Sequence, residues 1–405
     1  MMRTTLTQTI LILLVYTFSN TNTNLYCQDE VPSEPDLSRN ALENAIGSGY
    51  IISNSQNIDL TIGGFIEVDA MHDFLCQNNS TFFRASEVKV PNSGGGKTQF
   101  NLGDTRLRLA ASNHRTGEGT FKGIVEIDFR NAGNAPRLRH AFIEYKGIGF
   151  GQYWCNFGDH LIFPNLVINT GGPNALLLVR QPQIRYSRKF LDTEITVSVE
   201  ENKFSVADLP ADLRGREVFP DLTASFKQII GESYLRLSFL THPISYSNIE
   251  EVQQAHTVVG FAGNLTGNIK MNPNNRIKFQ TAYGTGFSHY VEDLSKLGLE
   301  AKSNRDQLEP LALLACWLFL EHDWNDQWNS TLGWGYNRLE NNQNLANNAM
   351  KETHFGAANI SYRPNDFIRT ALEFMYGSRI NYVTDPNIPD RGRNTRLQYT
   401  MFFSF

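Results

Sequence analysis

The chain lacks any long hydrophobic run. A membrane-spanning helix needs about 20 consecutive apolar residues. The one candidate, Ile10 to Phe18, is too short and stands at the extreme N-terminus. Hydrophobic residues are 41% of the total and the mean hydropathy is negative, which excludes a helical membrane protein. Cysteine is scarce: Cys27, Cys76, Cys155 and Cys316 show no CxxC and no paired spacing. Export would permit disulfides, but free thiols are the plainer reading. No Lys/Arg run or basic tail is present, so nothing suggests nucleic acid. The nine histidines are scattered, without HExxH or other ligand spacing. His72 and Asp73 adjoin, as do His322 and Asp323; neighbouring side chains on a strand face opposite ways, so neither pair shares a metal. GxSxG, P-loop and dinucleotide fingerprints are missing too. These absences argue against an enzyme, a cofactor and a metal.

What is there begins with an export signal. Arg3 supplies a short positive n-region, Thr9 to Phe18 an apolar h-region, and Ser19 to Asn24 a polar stretch. Cleavage is expected between Asn20 and Gln28, giving a signal peptide of residues 1–27. Tyr26 is too large for the position before a lipidated cysteine, which argues against Cys27 as an anchor. Residues 28–57, polar and with Pro32, Pro35, Gly47 and Gly49, read as a flexible periplasmic lead-in with one short helix over Leu37 to Ala45.

From Ile58 onward the dominant signal is period-2 alternation in segments of about ten residues, separated by Gly, Asn, Asp and Pro clusters. At the C-terminus, Leu397, Tyr399, Met401, Phe403 and Phe405 share one face, while Gln398, Thr400 and Ser404 share the other, with Phe402 an exception. A strand with one apolar and one polar face needs lipid or a core on one side and water on the other. Ending on bare Phe405 suits the closing strand of a barrel, the end that the outer-membrane assembly machinery reads. Candidate strands lie at 58–74, 98–112, 119–130, 136–147, 149–157, 178–189, 192–201, 218–229, 232–242, 255–269, 274–290, 309–323, 328–338, 351–362, 366–379 and 393–405. The expected fold is all-β: a transmembrane antiparallel β-barrel of about 16 strands, spanning residues 58–405. Long gaps alternate with short turns, as when one barrel end carries loops and the other hairpins. Aromatics near predicted strand ends (Trp154, Tyr290, Trp317, Trp324, Trp328, Trp334) suit interfacial girdles.

The net charge is −5, yet Asp104 to Arg188 holds eleven Lys/Arg and six Asp/Glu, a local excess of +5. Alternation sets Arg106 and Arg108 opposite Leu107 and Leu109, Arg137 and Arg139 opposite Leu138, and Arg130 on its strand's polar face. Arginine facing lipid at mid-depth costs about 2–4 kcal/mol, so these five guanidiniums belong in the lumen. Such a wall attracts carboxylates. Glu126 and Asp128 share the lumen face and neutralise part of it. A set of lumen ion pairs that only stabilises the barrel is the competing reading. The segment Asp159 to Arg180 has apolar residues (Leu161, Ile162, Phe163, Leu166, Val167, Ile168) without clean alternation. Folding inward would bury it and narrow the pore, with Arg180 and Arg185 near the constriction.

The motifs IGGFIEVDAMHDF (62–74), DTRLRLAA (104–111), PRLRHAFIEY (136–145), GQYWCNFGD (151–159) and RQPQIRYS (180–187), with terminal Phe405, resemble the DcaP-like porins. The resemblance runs in order through the first half of the barrel and reaches the second half only as strand pattern. It implies a 16-stranded homotrimeric porin in the outer membrane of a Gram-negative-type bacterium, seated in outer-membrane lipid. It further implies an arginine-lined constriction favouring small anionic solutes such as dicarboxylates. Arg106, Arg108, Arg137, Arg139, Arg180 and Arg185 fall at matching positions. Two departures stand out: the N-terminal coiled-coil region of many members is nearly missing, and Cys155 replaces a more usual small polar residue. The alternative function is an adhesive or structural barrel with an occluded lumen.

Overall fold

Sixteen strands follow the period-2 pattern. The structure, a computed structural model, describes residues 50–55, 58–75, 81–113, 121–167, 172–207, 209–250, 254–304, 307–340, 349–383, 385 and 387–405. The expected signal peptide, the helix over 37–45, Cys27 and Cys76 lie outside these residues. The strands are β1 (Ile58–Asp73), β2 (Lys97–Asn101 resuming as Arg106–Asn113), β3 (Phe121–Asp128), β4 (Arg137–Tyr145), β5 (Ile148–Trp154), β6 (Arg180–Phe190), β7 (Thr193–Glu200) and β8 (Asp221–Ile230). They continue as β9 (Ser233–Asn248), β10 (His256–Asn272), β11 (Asn275–Thr285), β12 (Ala312–Asp323), β13 (Trp328–Leu339), β14 (Met350–Tyr362), β15 (Ile368–Asn381) and β16 (Arg391–Ser404). Each pairs antiparallel with its neighbour, and β1 pairs with β16 from Phe65↔Ser404 to Asp73↔Arg396. The sheet is therefore a closed barrel without free edges. Gly64 and Phe405 exchange two backbone hydrogen bonds of 3.0 Å and complete the seam.

The two faces differ as the alternation requires. Leu107, Leu109, Leu138, Phe239, Leu318, Leu332, Tyr399 and Phe403 are exposed on the outer wall, while Arg106, Arg139, Gln280, Glu373 and Arg396 are buried on the inner one. Phe402 breaks the pattern because it packs inside, edge-to-face on Phe65 at 5.7 Å. Connections at one end (74–96, 129–136, 155–179, 201–220, 249–255, 286–311, 340–349, 382–390) are seven residues or more, and those at the other (114–120, 146–147, 191–192, 231–232, 273–274, 324–327, 363–367) are five or fewer apart from 114–120. In outer-membrane barrels the longer set faces the exterior.

Four expectations change. Tyr50–Ser55, read as lead-in, is a strand laid against the start of β1. The strand expected at 98–112 is broken at 102–105 by a turn in which Thr105 N donates to Leu102 O. Cys155, expected within the strand 149–157, stands just past β5, where burial pushes its thiol up to about 12; it and Cys316 are free thiols, as expected. Of the proposed girdle, Trp324, Trp328 and Trp334 are exposed, but Trp317 and Tyr290 are buried inside and Trp154 lines an internal cavity. Position near a strand end does not say which face an aromatic takes.

Candidate functional site

The described parts of the segment between β5 and β6, residues 155–167 and 172–179, fold into the barrel, and Ile168 lies outside the described residues. Phe157, Ile162, Leu166, Val167 and Leu177 are essentially fully buried there with Trp317, Phe319, Phe355 and Met375 of the opposite inner wall. A fully buried side chain of this kind contributes roughly 1.5–3 kcal/mol, so the apolar residues that disrupt alternation in the sequence are the loop's adhesive. Polar contacts set its path. Arg236 Nη1 donates to Gly158 O at 2.9 Å, Lys278 Nζ to Phe163 O at 3.1 Å and Gln280 Nε2 to Ala175 O at 2.5 Å. Asn165 is the furthest hub: its N–H donates to Glu321 (2.7 Å), its Nδ2 to Asn329 (2.8 Å), and its Oδ1 accepts from Arg369 (2.7 Å). Near Asn174 the wall is Gly335, where an added Cβ would lie 2.3 Å from Asn174 Oδ1; glycine permits the close approach.

Two further loops close in. In 286–311, Phe287, Tyr290, Val291 and Leu294 are buried, and Val291 bridges to Leu177 of the inward segment. The 81–96 stretch joins it through Ser86, whose N–H and Oγ both donate to the Asp293 carboxylate at 3.1–3.2 Å. Arg379 Nη1 donates to Ser86 O at 2.7 Å.

Between these loops and the inner wall of β2–β6 lies a cavity of about 560 Å³. Seven cationic residues line it (Arg84, Arg106, Arg130, Arg137, Arg139, Arg180, Lys296) against two acidic ones (Asp104, Glu292). Burial pushes the two lining histidines down, His160 to about 3 and His289 to about 4, so guanidiniums and Lys296 alone supply the positive field near neutral pH.

The guanidiniums are not equivalent. Arg130 donates through Nε and Nη2 to Asp104. Arg137 grips Asp128 at 2.9 and 2.6 Å, and Arg139 reaches Glu126 at 2.6 Å and Asp128 at 3.0 Å. Arg84 is held by Glu87 at 3.2 Å and Glu292 at 3.5 Å. Glu126 and Asp128 thus neutralise Arg137 and Arg139. Arg106 and Arg180 make no salt bridge among the described residues, and Arg106 Nε and Arg180 Nη1 are buried without a hydrogen-bond partner. Their support is aromatic: Arg106 lies 5.2 Å from the Phe65 ring centroid, Arg180 4.9 Å from that of Trp154.

Two expected members stand apart. Arg108 is half-buried on the inner face, opposite Glu126 in register, but does not line the cavity. Arg185 lies one strand segment away from Arg180, stacked over Phe142 (4.5 Å) and Tyr153 (4.8 Å) with Glu144 at 3.7 Å. Conversely, Arg84, Asp104, Trp154 and Lys296 belong to the cavity and were missed. Asp104 sits in the turn that breaks the strand at 102–105, where strand parity does not extend. Arg84 and Lys296 come from loops, where no period exists to read.

A family model described as the porin subfamily matches residues 60–402. Among solved structures, the outer membrane channel DcaP of Acinetobacter baumannii has a TM-score of 0.75 at 20% identity, covering 88% of this chain and 99% of that one. An anion-selective porin from Comamonas acidovorans gives 0.59 at 8%, covering 86% and 100%. OmpT of Vibrio cholerae in its trimer form gives 0.52 at 11%, also covering 86% and 100%. No curated protein sequence matches the chain. At such identities the solved structures speak to the fold alone.

Proposed function

From the premise that this chain belongs to the porin subfamily and is a channel of the Gram-negative outer membrane, we propose that it is a passive diffusion pore favouring small anions such as dicarboxylates. The observation that carries this reading is the pair Arg106 and Arg180. In a cavity with seven cationic and two acidic lining residues, these two are the lining arginines that make no salt bridge among the described residues, although Glu126, Asp104 and Glu67 act on Arg106 electrostatically. A solute carboxylate is the natural acceptor for such donors, and two of them suit a solute with two carboxylates. The paired arginines behind them shape a field across the lumen rather than adding free charge.

The same reading covers the assembly. The chain acts as a homotrimer, residues 1–27 are removed on export, 28–57 face the periplasm, and Phe405 is the end read by the assembly machinery. The test is a planar bilayer recording under a salt gradient. Open-channel current with an anion-selective reversal potential is expected; no conductance at all would favour an adhesive barrel with an occluded lumen.

A further inference from the structure

The side of the cavity formed by the 286–311 loop, its roof, is built on two successive turns. Leu294 N donates to Val291 O at 2.9 Å, and Leu297 N to Leu294 O at 2.9 Å. Bonds of this spacing put residues three apart on one side. Val291 and Leu294, both fully buried, anchor that side. Glu292, Ser295 and Lys296 come out on the other and line the cavity. Glu292 N donates to Leu176 O at 2.9 Å, which ties the first turn to the inward segment. Ser295 Oγ donates to Glu292 O at 3.3 Å and joins the two turns.

The roof's two charges differ in their commitments. Glu292 lies 3.5 Å from Arg84, which also meets Glu87 at 3.2 Å. Lys296 is exposed and makes no salt bridge or hydrogen bond among the described residues. It stands with Arg106 and Arg180 as a third lining cation without a salt bridge. The three come from separate parts of the lining: Arg106 from β2, Arg180 from β6 and Lys296 from the loop. Their chemistry differs as well. The two guanidiniums are fixed over aromatic rings, whereas an ammonium on a flexible stem follows a carboxylate wherever the solute places it.

We infer that Lys296 is a specificity-determining residue that makes the cavity a three-point receptor, favouring solutes with three carboxylates over those with two. The wall guanidiniums hold two carboxylates and Lys296 takes the third. This rests on the anion-pore reading above and adds to it a residue and a solute charge.

The probes are glutarate and propane-1,2,3-tricarboxylate, which share one carbon spine and differ by a carboxylate at its centre. Single-channel current through the full chain is recorded in a planar bilayer at mildly alkaline pH, where both probes are fully ionised. Interruptions of the current give each probe's entry rate and residence time. The tricarboxylate is expected to reside about fivefold longer, the effect of one further ion contact in a wet pore. Lys296→Gln is expected to bring the two probes to equal residence, and Lys296→Arg to keep them apart. Lys296 is exposed, so neither variant disturbs packing. Equal residence in the parent overturns the inference, as does a difference that survives Lys296→Gln. So does an effect on entry rate alone that fades at high salt, which would reduce Lys296 to a steering charge. Failure of the anion-pore reading looks different and takes the inference with it: neither probe would interrupt the current, and the reversal potential would show no anion preference.

Discussion

Trp154 and Arg180 face each other across the β5–β6 register, and the guanidinium carbon lies 4.9 Å from the indole centroid. Trp154 ends the strand that enters the inward segment and Arg180 begins the strand that leaves it. The pair therefore clamps both ends of that segment and holds an unpaired charge in the cavity it bounds. Stacking orients the guanidinium without consuming its hydrogen-bond donors.

Loss of the unpaired arginines should shift selectivity. Arg106→Ala and Arg180→Ala are each expected to lower the anion-to-cation permeability ratio roughly fivefold, on the basis of about 1 kcal/mol for one charge at contact distance in a wet pore. The effect should shrink at high salt. Reversal potentials in bilayers at two ionic strengths decide it, and an unchanged ratio for both variants removes these residues from the mechanism.

Arg139→Ala should behave differently. This guanidinium is committed to Glu126 and Asp128, so its removal leaves two inward carboxylates short of a partner. The expected result is a less stable barrel, by about 3 kcal/mol for a broken buried pair, together with weaker anion preference. Heat-induced unfolding followed on gels or by circular dichroism measures the first; a melting temperature equal to the parent's would contradict it.

Asn165 carries the far end of the inward segment. Asn165→Ala deletes the acceptor for Arg369 and the donor to Asn329, and leaving a buried charged donor unsatisfied costs about 1–3 kcal/mol. The loop should loosen, giving larger and noisier single-channel conductance. Traces indistinguishable from the parent would show that the apolar contacts suffice.

The contact between the 81–96 and 286–311 loops should depend on pH. Burial pushes Asp293, clasped by Ser86, up to about 7, and Glu300 in the same loop up to about 8. A carboxyl raised in the packed state favours packing most where it is protonated in either state, below the ordinary carboxyl range near pH 4. That contribution is lost as pH rises through about 7 and about 8. Arg84 and Arg379 act against the rise, favouring the ionised Asp293. The loops should thus be most resistant to proteolysis in acid and progressively less so up to about pH 8. Asp293→Asn should flatten the lower part of that profile; a flat parental profile would refute the assignment.

The barrel was legible because period-2 alternation is local: whether Leu107 or Arg106 faces lipid follows from the pleat, and the same parity brought Arg137 and Arg139 inward. Alternation fails where the chain leaves the strands. It said nothing of Arg84 or Lys296, and grouped Arg185 with Arg180 although they stand five positions apart on one strand.

By itself, then, the sequence determined a closed sheet with an oily outside and a charged inside, because side-chain direction on a strand is set by the backbone. It did not determine which charges remain available. That depends on which carboxylate lies within reach, on the break at 102–105 that brings Asp104 to Arg130, and on loops that cross the lumen to meet walls more than a hundred residues distant. Such contacts arise only when the barrel closes, so only the tertiary structure could leave Arg106 and Arg180 unpaired.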